Sequence, residues 1–241
     1  MIKFIKRTIL FIIIVVIAIF SIFIYQGYKL YEEAIKETSI NEKIEEIKKE
    51  KENYIKFDKL PENYINAIVA VEDRRFFEHN GMDIISITRA IIKDIQTMSL
   101  AEGGSTITQQ LAKNTYFTQK KELTRKIAEI FMAFEYEKVC SKEEILELYV
   151  NTIYFGDGCY CVYDASHKYF DKDPSDMNLY ESTLLAGIPN APSVYAPTKN
   201  PELAKQRQAQ VLNKMVKYKY LSKEEADKVL NIDISESIKN K

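Results

Sequence analysis

The chain changes from wholly apolar to densely charged and then to amphipathic within its first 70 residues. No charged residue occurs from Thr8 to Tyr28, and a helix of that length, at about 1.5 Å per residue, spans a hydrocarbon core of about 30 Å. Residues 29–56 mix acidic and basic side chains without Gly or Pro, as solvated helices do. We predict a basic flank and membrane anchor over 1–28 and a helical stem over 29–56.

The flanks of the apolar segment predict its orientation. Lys3, Lys6 and Arg7 precede it, and positive charges beside a span stay in the cytoplasm. A cleaved signal peptide has a shorter apolar stretch that ends in small residues, whereas Phe20 to Ile24 continue the apolar run. We therefore predict an uncleaved single-pass anchor in a bacterial cell membrane, with a cytoplasmic N-terminus and everything after Lys29 outside.

Beyond Pro61, apolar residues recur at helical spacing. The spacing is clearest in residues 84–95, 127–134 and 145–150. Capping boxes that open such segments are Thr106 with Gln109, Ser141 with Glu144, and Ser222 with Glu225. No alternation of strand and helix patterns suggests a βαβ sheet. The sequence predicts a mainly α domain over 57–232 and a polar tail over 233–241.

The composition is that of a packed domain rather than a disordered or fibrous chain. Of 241 residues, 46% are hydrophobic and 29% are charged, with only 7 Gly and 6 Pro. The formal net charge is −1, so the chain lacks the excess of basic residues that is typical of nucleic-acid-binding proteins. The 3 cysteines include no CxxC pair, so neither a zinc ribbon nor a disulfide framework is indicated. The length leaves room for one substantial domain.

Three segments carry side chains suited to chemistry, and each also has a structural interpretation. EDRRFFEHNG, residues 72–81, contains carboxylates next to guanidiniums. The structural alternative for this segment is a helix end stabilised by salt bridges. GGSTITQQLAKN, residues 103–114, contains two glycines followed by a capped helix. The N-terminus of that helix could bind a phosphate, and the structural alternative is a flexible loop that leads into an ordinary helix cap. RKIAE places Arg125 and Glu129 four residues apart on one helix face, where an intrahelical ion pair is the alternative.

The local charge favours an anion site near the second and third segments. Residues 105–126 hold one acidic residue, Glu122, against five basic ones: Lys113, Lys120, Lys121, Arg125 and Lys126. A basic strip beside a glycine hinge suits a diphosphate. Glu72 and Glu129 supply the two carboxylates that glycosyl chemistry uses, one to move a proton and one to stabilise charge or hold a cation.

These segments, followed by ILELYVNTIYFG, resemble the successive motifs of the family 51 glycosyltransferases, the peptidoglycan transglycosylases that polymerise lipid II. The resemblance runs from about Leu60 to Leu230 and includes LLAGIPNAPSVYAP and VLNKM. It implies a mainly α, lysozyme-like, two-lobed glycosyltransferase domain, with a smaller jaw over 82–100 beside the membrane. Since no transpeptidase domain follows these motifs in the sequence, we expect the monofunctional form.

The resemblance also implies roles for individual residues. Glu72 falls on the catalytic base, which deprotonates the acceptor 4-hydroxyl while undecaprenyl diphosphate leaves and the anomeric centre inverts. Glu129 falls on the second catalytic glutamate, and we expect it to hold charge or to coordinate a divalent cation, Mg²⁺ or Mn²⁺. The implied substrate-binding residues are Arg74, Arg75, Ser105, Thr106, Gln109, Gln110, Lys113, Asn114, Arg125 and Lys126.

The partners expected from this resemblance are lipid II, the growing lipid-linked glycan strand and the membrane. Other cell-wall synthesis proteins are candidate partners, and nucleic acid is not expected. Two further classes stay open: a lysozyme-like glycan-cleaving enzyme and a non-catalytic membrane-anchored cell-wall scaffold. A cleaving enzyme has no diphosphate to bind, so the basic strip argues against it.

One loop departs from the family pattern. The family shows Gly-x-Gly-x-x-Gly after the fourth motif, whereas this chain has Cys161 at the third glycine, following Gly156 and Gly158. If that position needs a positive φ, the loop must be rearranged. We expect Cys159 and Cys161 to be unlinked fillers, because a disulfide across one intervening residue is strained.

Overall fold

Helices form all the regular secondary structure in the part of the chain that the computed structural model describes, residues 1–97, 104–117 and 123–233. The α-helices are α1 (Ile2–Glu37), α2 (Ile40–Glu50), α3 (Glu62–Glu72), α4 (Ile84–Thr97), α5 (Ile107–Tyr116), α6 (Leu123–Val139), α7 (Lys142–Thr152), α8 (Val162–Phe170), α9 (Leu179–Gly187), α10 (Pro192–Tyr195), α11 (Pro201–Lys217) and α12 (Lys223–Leu230). Short 3₁₀ turns lie at Phe57–Lys59, Pro174–Asp176 and Ile188–Asn190. The predicted mainly α class is confirmed. Gly103, Lys120, Lys121 and the predicted tail beyond Asp233 lie outside the described residues.

Helix α1 is a single uninterrupted rod. Its 36 residues extend about 54 Å at 1.5 Å per residue. By length and composition it can cross a membrane: the helical span Lys3–Glu37 includes an 18-residue window with a mean hydropathy of 3.1, none of it buried within the protein. The predicted N-terminal apolar helix is therefore present, and it continues well past the predicted anchor boundary at residue 28.

The segment predicted as a helical stem, residues 29–56, is helical over most of its length and is divided between two helices. Helix α1 ends at Glu37, and Ser39 and Glu42 form a capping box that starts α2. Ile40, Ile44 and Ile47 recur at helical spacing on α2 and are buried in the main core. The charge density of this segment concealed that apolar stripe, because the polar residues occupy only the outer face of the helix.

The main core joins α3, α5, α7, α9 and α11. Its largest fully buried side chains are Tyr64, Tyr136, Tyr149, Tyr169, Phe76, Phe155, Ile68, Ile107, Leu111, Met132, Ile145 and Leu146. Burying one Phe, Ile, Leu or Met side chain contributes about 1.5–3 kcal/mol. Helix α3 packs against α9 and α11, so the carboxyl end of α3 is held rigidly against the body of the domain.

Helix α4 lies apart from this core. Among its described side chains Ala90 is buried, yet none belongs to the main core cluster. Ile84, Ile85 and Ile92 are instead exposed. This segment is the predicted jaw, and its described residues form one edge of the cavity described below.

The loop that departs from the family pattern is built without strain at Cys161. Positive φ occurs at Gly156, Asp157 and Gly158, whereas Cys161 has an extended φ of −156° and caps α8 through its sulfur. At Gly156 a Cβ would meet the Pro192 carbonyl oxygen at 2.8 Å, so this glycine is required both by its conformation and by its close packing.

The cysteines are free and buried, which confirms the prediction that Cys159 and Cys161 are unlinked. Burial raises the pKa of each of these two thiols to about 11. They are therefore protonated and unreactive at neutral pH, and they serve as small apolar fillers.

Candidate active site

A cavity of about 510 Å³ opens where the end of α3, the start of α5, helix α4 and helix α11 meet. Six basic side chains line it, against three acidic ones, Glu72, Asp73 and Asp83. The basic residues are Arg74, Arg89, Lys113, Arg207, Lys214 and Lys217. The walls therefore suit an anionic ligand, although the chain as a whole is slightly acidic.

Glu72 is the last residue of α3, and its carboxylate has two unlike oxygens. Oε2 accepts a 2.8 Å hydrogen bond from Gln110 Nε2. Oε1 is buried, and none of the described residues donates a hydrogen bond to it; Arg207 Nη2 is 3.7 Å away. One oxygen is thus anchored by a hydrogen bond, while the other has no hydrogen-bond donor among the described residues and keeps its lone pairs for a proton.

Gln110 is oriented by Tyr149. The Tyr149 hydroxyl donates to Gln110 Oε1 at 3.4 Å, which leaves Nε2 of the same amide to donate to Glu72. Tyr149 is fully buried, and this burial keeps its pKa well above the ordinary value of 10. Its hydroxyl therefore stays protonated as a donor, and the amide presents the correct end to the carboxylate.

We expect Tyr149→Phe to lower kcat of the reaction proposed below while leaving KM nearly unchanged, because only the orientation of Gln110 is lost. One neutral hydrogen bond contributes about 0.5–1.5 kcal/mol, or roughly 2- to 10-fold in rate. Steady-state kinetics would measure the effect. Tyr169→Phe is the matched control, since that buried hydroxyl donates to the Phe155 carbonyl oxygen. An equal loss of kcat in the control would contradict the assigned role.

The turn after Glu72 is fixed by a buried cluster around Asp73. His79 Nε2 lies 3.0 and 2.9 Å from the two Asp73 oxygens, and the Ile107 amide donates to Oδ2 at 3.1 Å. The end of α3 is thereby joined to the start of α5. The sequence motif contains both Asp73 and His79, but their role as a brace depends on a contact with α5 that spacing alone does not reveal.

A second cluster of charges lies at the first turns of α6. Arg125 Nε is 2.8 Å from Glu129 Oε1, and Lys126 Nζ is 2.8 Å from Oε2. Lys126 Nζ also donates to Ser105 Oγ at 2.9 Å, and Ser105 lines the cavity. Only about 1% of Glu129 is exposed. This carboxylate therefore holds two cations beside the cavity.

Lys113 links this cluster with the cavity, because it lines the cavity wall and interacts electrostatically with both carboxylates. Burial lowers the pKa of Lys113, and the neighbouring Arg125 and Lys126 act in the same direction, while Glu129 and Glu72 oppose them. A cation that is destabilised by burial and by like charges gains from a bound anion. The three cations are therefore suited to bind a diphosphate.

The other predicted binding residues fall into two groups. Glu72, Arg74, Ser105, Thr106, Gln110 and Lys113 line the cavity. The predicted residues that do not line it are Arg75, Gln109, Asn114, Arg125, Lys126 and Glu129. Arg75 Nε lies 3.4 Å from both Asp83 and Glu78. Gln109 is buried and donates to the Gly81 carbonyl oxygen, which also accepts from the Thr106 hydroxyl.

This arrangement corrects the predicted capping box at the start of α5. Thr106 accepts from the Gln109 amide as expected, but the Gln109 side chain bonds to Gly81 rather than back to the cap. The Ser141 and Ser222 boxes form as predicted.

Helix α11 supplies cavity residues that the sequence analysis did not single out. Arg207, Gln210, Lys214 and Lys217 lie on the face of α11 that lines the cavity. Lys214 Nζ donates to the Val71 carbonyl oxygen at 2.9 Å, directly before the candidate base. Their spacing of three, four and three residues puts all four on one helix face. The sequence alone could therefore have indicated that this face is polar and basic.

The donor set around Glu129 does not suit a divalent cation. The carboxylate is paired with Arg125 and Lys126, and no cluster of three His, Cys, Asp or Glu side chains suited to a metal occurs within the described residues. Mg²⁺ and Ca²⁺ are held by several oxygen ligands, and one carboxylate that already pairs with two cations provides too few. Of the two predicted roles for Glu129, the geometry favours charge holding.

The fold and the site together define a helical protein with a candidate general base beside a cluster of anion-binding cations. Comparison with known proteins makes this assignment specific. The family model described as Transglycosylase matches residues 39–216, and the chain belongs to the transglycosylase family. The match begins inside the predicted stem, in agreement with the burial of α2.

The relatives that match are larger proteins. The chain is 42% identical over 185 residues to penicillin-binding protein 1A of Neisseria lactamica, covering 77% of this chain and 23% of the relative. Identity is 42% over 192 residues to penicillin-binding protein 1A of Aquifex aeolicus (80% and 26%), and 43% over 172 residues to penicillin-binding protein 1F of Bacillus subtilis (71% and 24%). The chain thus spans about a quarter of the length of these curated relatives.

A solved structure, penicillin-binding protein 1A of Haemophilus influenzae, also matches. The alignment covers 53% of this chain and 16% of that chain, at 30% identity and a TM-score of 0.37.

Proposed function

We propose that the protein is a peptidoglycan glycosyltransferase that polymerises lipid II into β-1,4-linked glycan strands. The observation that carries this proposal is that Glu72, whose Oε1 accepts no hydrogen bond from the described residues, lines the same cavity as Lys113. A base and a cation cluster side by side are the two elements needed to transfer a sugar from a diphosphate. Membership of the transglycosylase family supports the same reaction.

The proposed reaction is a single displacement. Glu72 Oε1 takes the proton of the acceptor 4-hydroxyl as that oxygen bonds to the anomeric carbon of the donor sugar. The bond from this carbon to the diphosphate oxygen breaks, its electron pair leaves with undecaprenyl diphosphate, and the anomeric centre inverts. Lys113, Arg125 and Lys126 stabilise the negative charge on the leaving group, so no acid catalyst is required.

The basic walls of the cavity argue against the glycan-cleaving alternative. A hydrolase acts on an uncharged glycosidic bond and gains nothing from the six basic side chains that line the cavity. The scaffold alternative does not explain why Oε1 of Glu72 accepts no hydrogen bond from the described residues, since a buried acceptor without a hydrogen-bond donor costs about 1–3 kcal/mol. That cost is reasonable where the oxygen serves a reaction.

Incubation of the full chain with lipid II tests all three functions. We expect polymer and released undecaprenyl diphosphate. A chain that instead shortened preformed glycan strands would be a cleaving enzyme, and one that did neither while remaining folded would be a scaffold.

We further propose that α1 anchors the protein in a bacterial cell membrane with its N-terminus in the cytoplasm. The long apolar run of α1 and the three basic residues before it support this topology. Both substrates carry a polyprenyl lipid, so an enzyme held at the membrane meets them at high local concentration.

Protease added to intact, wall-stripped cells tests the topology. We expect the domain after α1 to be digested while a cytoplasmic marker survives. Protection of the domain, in cells where a known surface protein is cleaved, would reverse the orientation.

The divalent cation remains a prediction from the family resemblance. The described residues offer no set of ligands for it, so no step above depends on it. Chelation followed by Mg²⁺ or Mn²⁺ addition to the polymerising enzyme would test it directly. Other cell-wall synthesis proteins likewise remain candidate partners, to be sought by crosslinking in intact cells.

A further inference from the structure

Gly27 lets α1 approach α6 more closely than any other residue would permit. A Cβ at this position would lie 2.6 Å from both Cβ and Cγ2 of Ile127 and 2.8 Å from the Thr124 carbonyl oxygen. These distances are far shorter than van der Waals contact. Gly27 is buried, whereas Tyr25 and Gln26 before it are exposed. The two helices therefore touch backbone to side chain at this point.

The contact extends along one face of α6. Thr124 Oγ1 lies 3.4 Å from Gln26 Oε1, and the Phe131 ring lies 5.4 Å from Tyr28 and 5.7 Å from Tyr31. The Tyr31 hydroxyl donates to Glu135 Oε1 at 3.0 Å. The α6 residues of this face are Thr124, Ile127, Phe131 and Glu135, which recur at helical spacing.

The charged cluster of the site lies on the same turns of α6. Arg125, Lys126 and Glu129 alternate with the residues that touch α1, and Lys126 reaches Ser105 at the cavity. Helix α6 thus carries both the residues that contact α1 and two of the three cations, Arg125 and Lys126. Helix α1 has no break between its apolar segment and Glu37, so no flexible linker separates the two.

We propose that Gly27 is a positioning residue that sets the height and tilt of the diphosphate-binding cations relative to the membrane. This inference rests on the proposed function, because it concerns a substrate whose lipid stays in the bilayer while its diphosphate is at the surface. With α1 seated directly on Ile127, Arg125 and Lys126 are held at one distance from the apolar segment.

We expect a larger side chain at position 27 to displace the apolar part of α1 rather than α6. Helix α6 packs against α5, α7 and α2, and its Met132 and Tyr136 are buried in the main core. The apolar part of α1, by contrast, has no protein around it. The site itself therefore stays intact in such a variant, and only its placement relative to the bilayer changes.

The test compares two substrates in the full-length protein with Gly27→Ala and Gly27→Leu. The first substrate is lipid II in phosphatidylethanolamine–phosphatidylglycerol vesicles, and the second is a short-chain, water-soluble lipid II analogue. We expect kcat/KM on vesicles to fall about ten-fold or more for Gly27→Leu and less for Gly27→Ala, since displacements near 1 Å cost up to about 100-fold. Activity on the soluble analogue should stay within about two-fold.

Ala18→Leu, which adds bulk at an exposed position of the same helix, is the matched control and should behave as wild type. Equal losses on both substrates would mean that α6 itself is distorted and would overturn the inference, as would no loss on either. If Gly27→Leu fails to fold in a thermal melt, Gly27→Ala decides. A wild-type protein inactive on both substrates would overturn the proposed function and this inference with it, whereas an active wild type with unaffected variants would overturn only the inference.

Discussion

Glu72→Gln should abolish most polymerisation of lipid II while leaving the protein folded. The amide keeps the size of the carboxylate, but it cannot take up the proton that Oε1 is placed to receive. Loss of a general base costs roughly 10²- to 10⁴-fold in rate. Polymer formed per minute, followed on a gel with labelled lipid II, measures the effect. Binding of the donor diphosphate should survive, because Lys113, Arg125 and Lys126 are unchanged.

The structure supplies a sharp control for this variant. Glu78→Gln removes a carboxylate from the same motif, but 64% of the Glu78 side chain is exposed and its ion-pair contact is with Arg75. We expect its activity within about two-fold of wild type, since exposed ion pairs contribute about 0–1 kcal/mol. The thermal midpoint of Glu72→Gln should change little, because Oε1 accepts no hydrogen bond from the described residues and its ion-pair contact with Arg207 is 3.7 Å long. An active Glu72→Gln protein would remove Glu72 from the role of base.

Glu129→Gln should weaken both binding and turnover, because it releases two cations at once. Arg125 and Lys126 are each held 2.8 Å from this buried carboxylate. One charge-assisted contact to the diphosphate is worth about 1.5–3 kcal/mol, so misplacing two cations should lower kcat/KM by roughly 10²-fold or more. The thermal midpoint should also fall, because breaking a buried pair leaves uncompensated charge.

A magnesium titration of Glu129→Gln separates the two roles that the sequence left open. If Glu129 holds charge, as the geometry favours, the defect is the same at every Mg²⁺ concentration. A defect that recovers as Mg²⁺ is raised would show that Glu129 coordinates a cation instead. Glu143→Gln, an exposed change in the first turn of α7, should show neither effect.

How far the sequence predicts this molecule depends on how local each feature is. The helices around Ser141 and Ser222 could be predicted because caps and apolar spacing are properties of short segments. Glu72 and Lys113 could be predicted as candidate site residues because their motifs are contiguous. The burial of α2 was not predicted, because its stripe of three isoleucines is interspersed with many charges. In that segment the burial depends on a partner surface that the local pattern does not contain.

The contribution of α11 could not be predicted for a different reason. Lys214 bonds to the Val71 carbonyl across 143 residues of chain, and Arg207 reaches Glu72 over a similar separation. Contacts of this range depend on how α3, α9 and α11 pack together, and helical spacing alone does not determine that packing. The same applies to Gly27, because its role depends on the contact with Ile127, which the sequence does not reveal.

The bond from Lys214 to Val71 also bears on the order of events during biosynthesis. The α3 segment leaves the ribosome long before α11 does. During that interval the end of α3 lacks the helix that packs against it in the finished protein. Contacts of such sequence separation close late, because the entropy of a long loop must be overcome first. A nascent chain therefore has no complete site until Lys214 has emerged, and a ribosome that stalls earlier leaves an inactive protein.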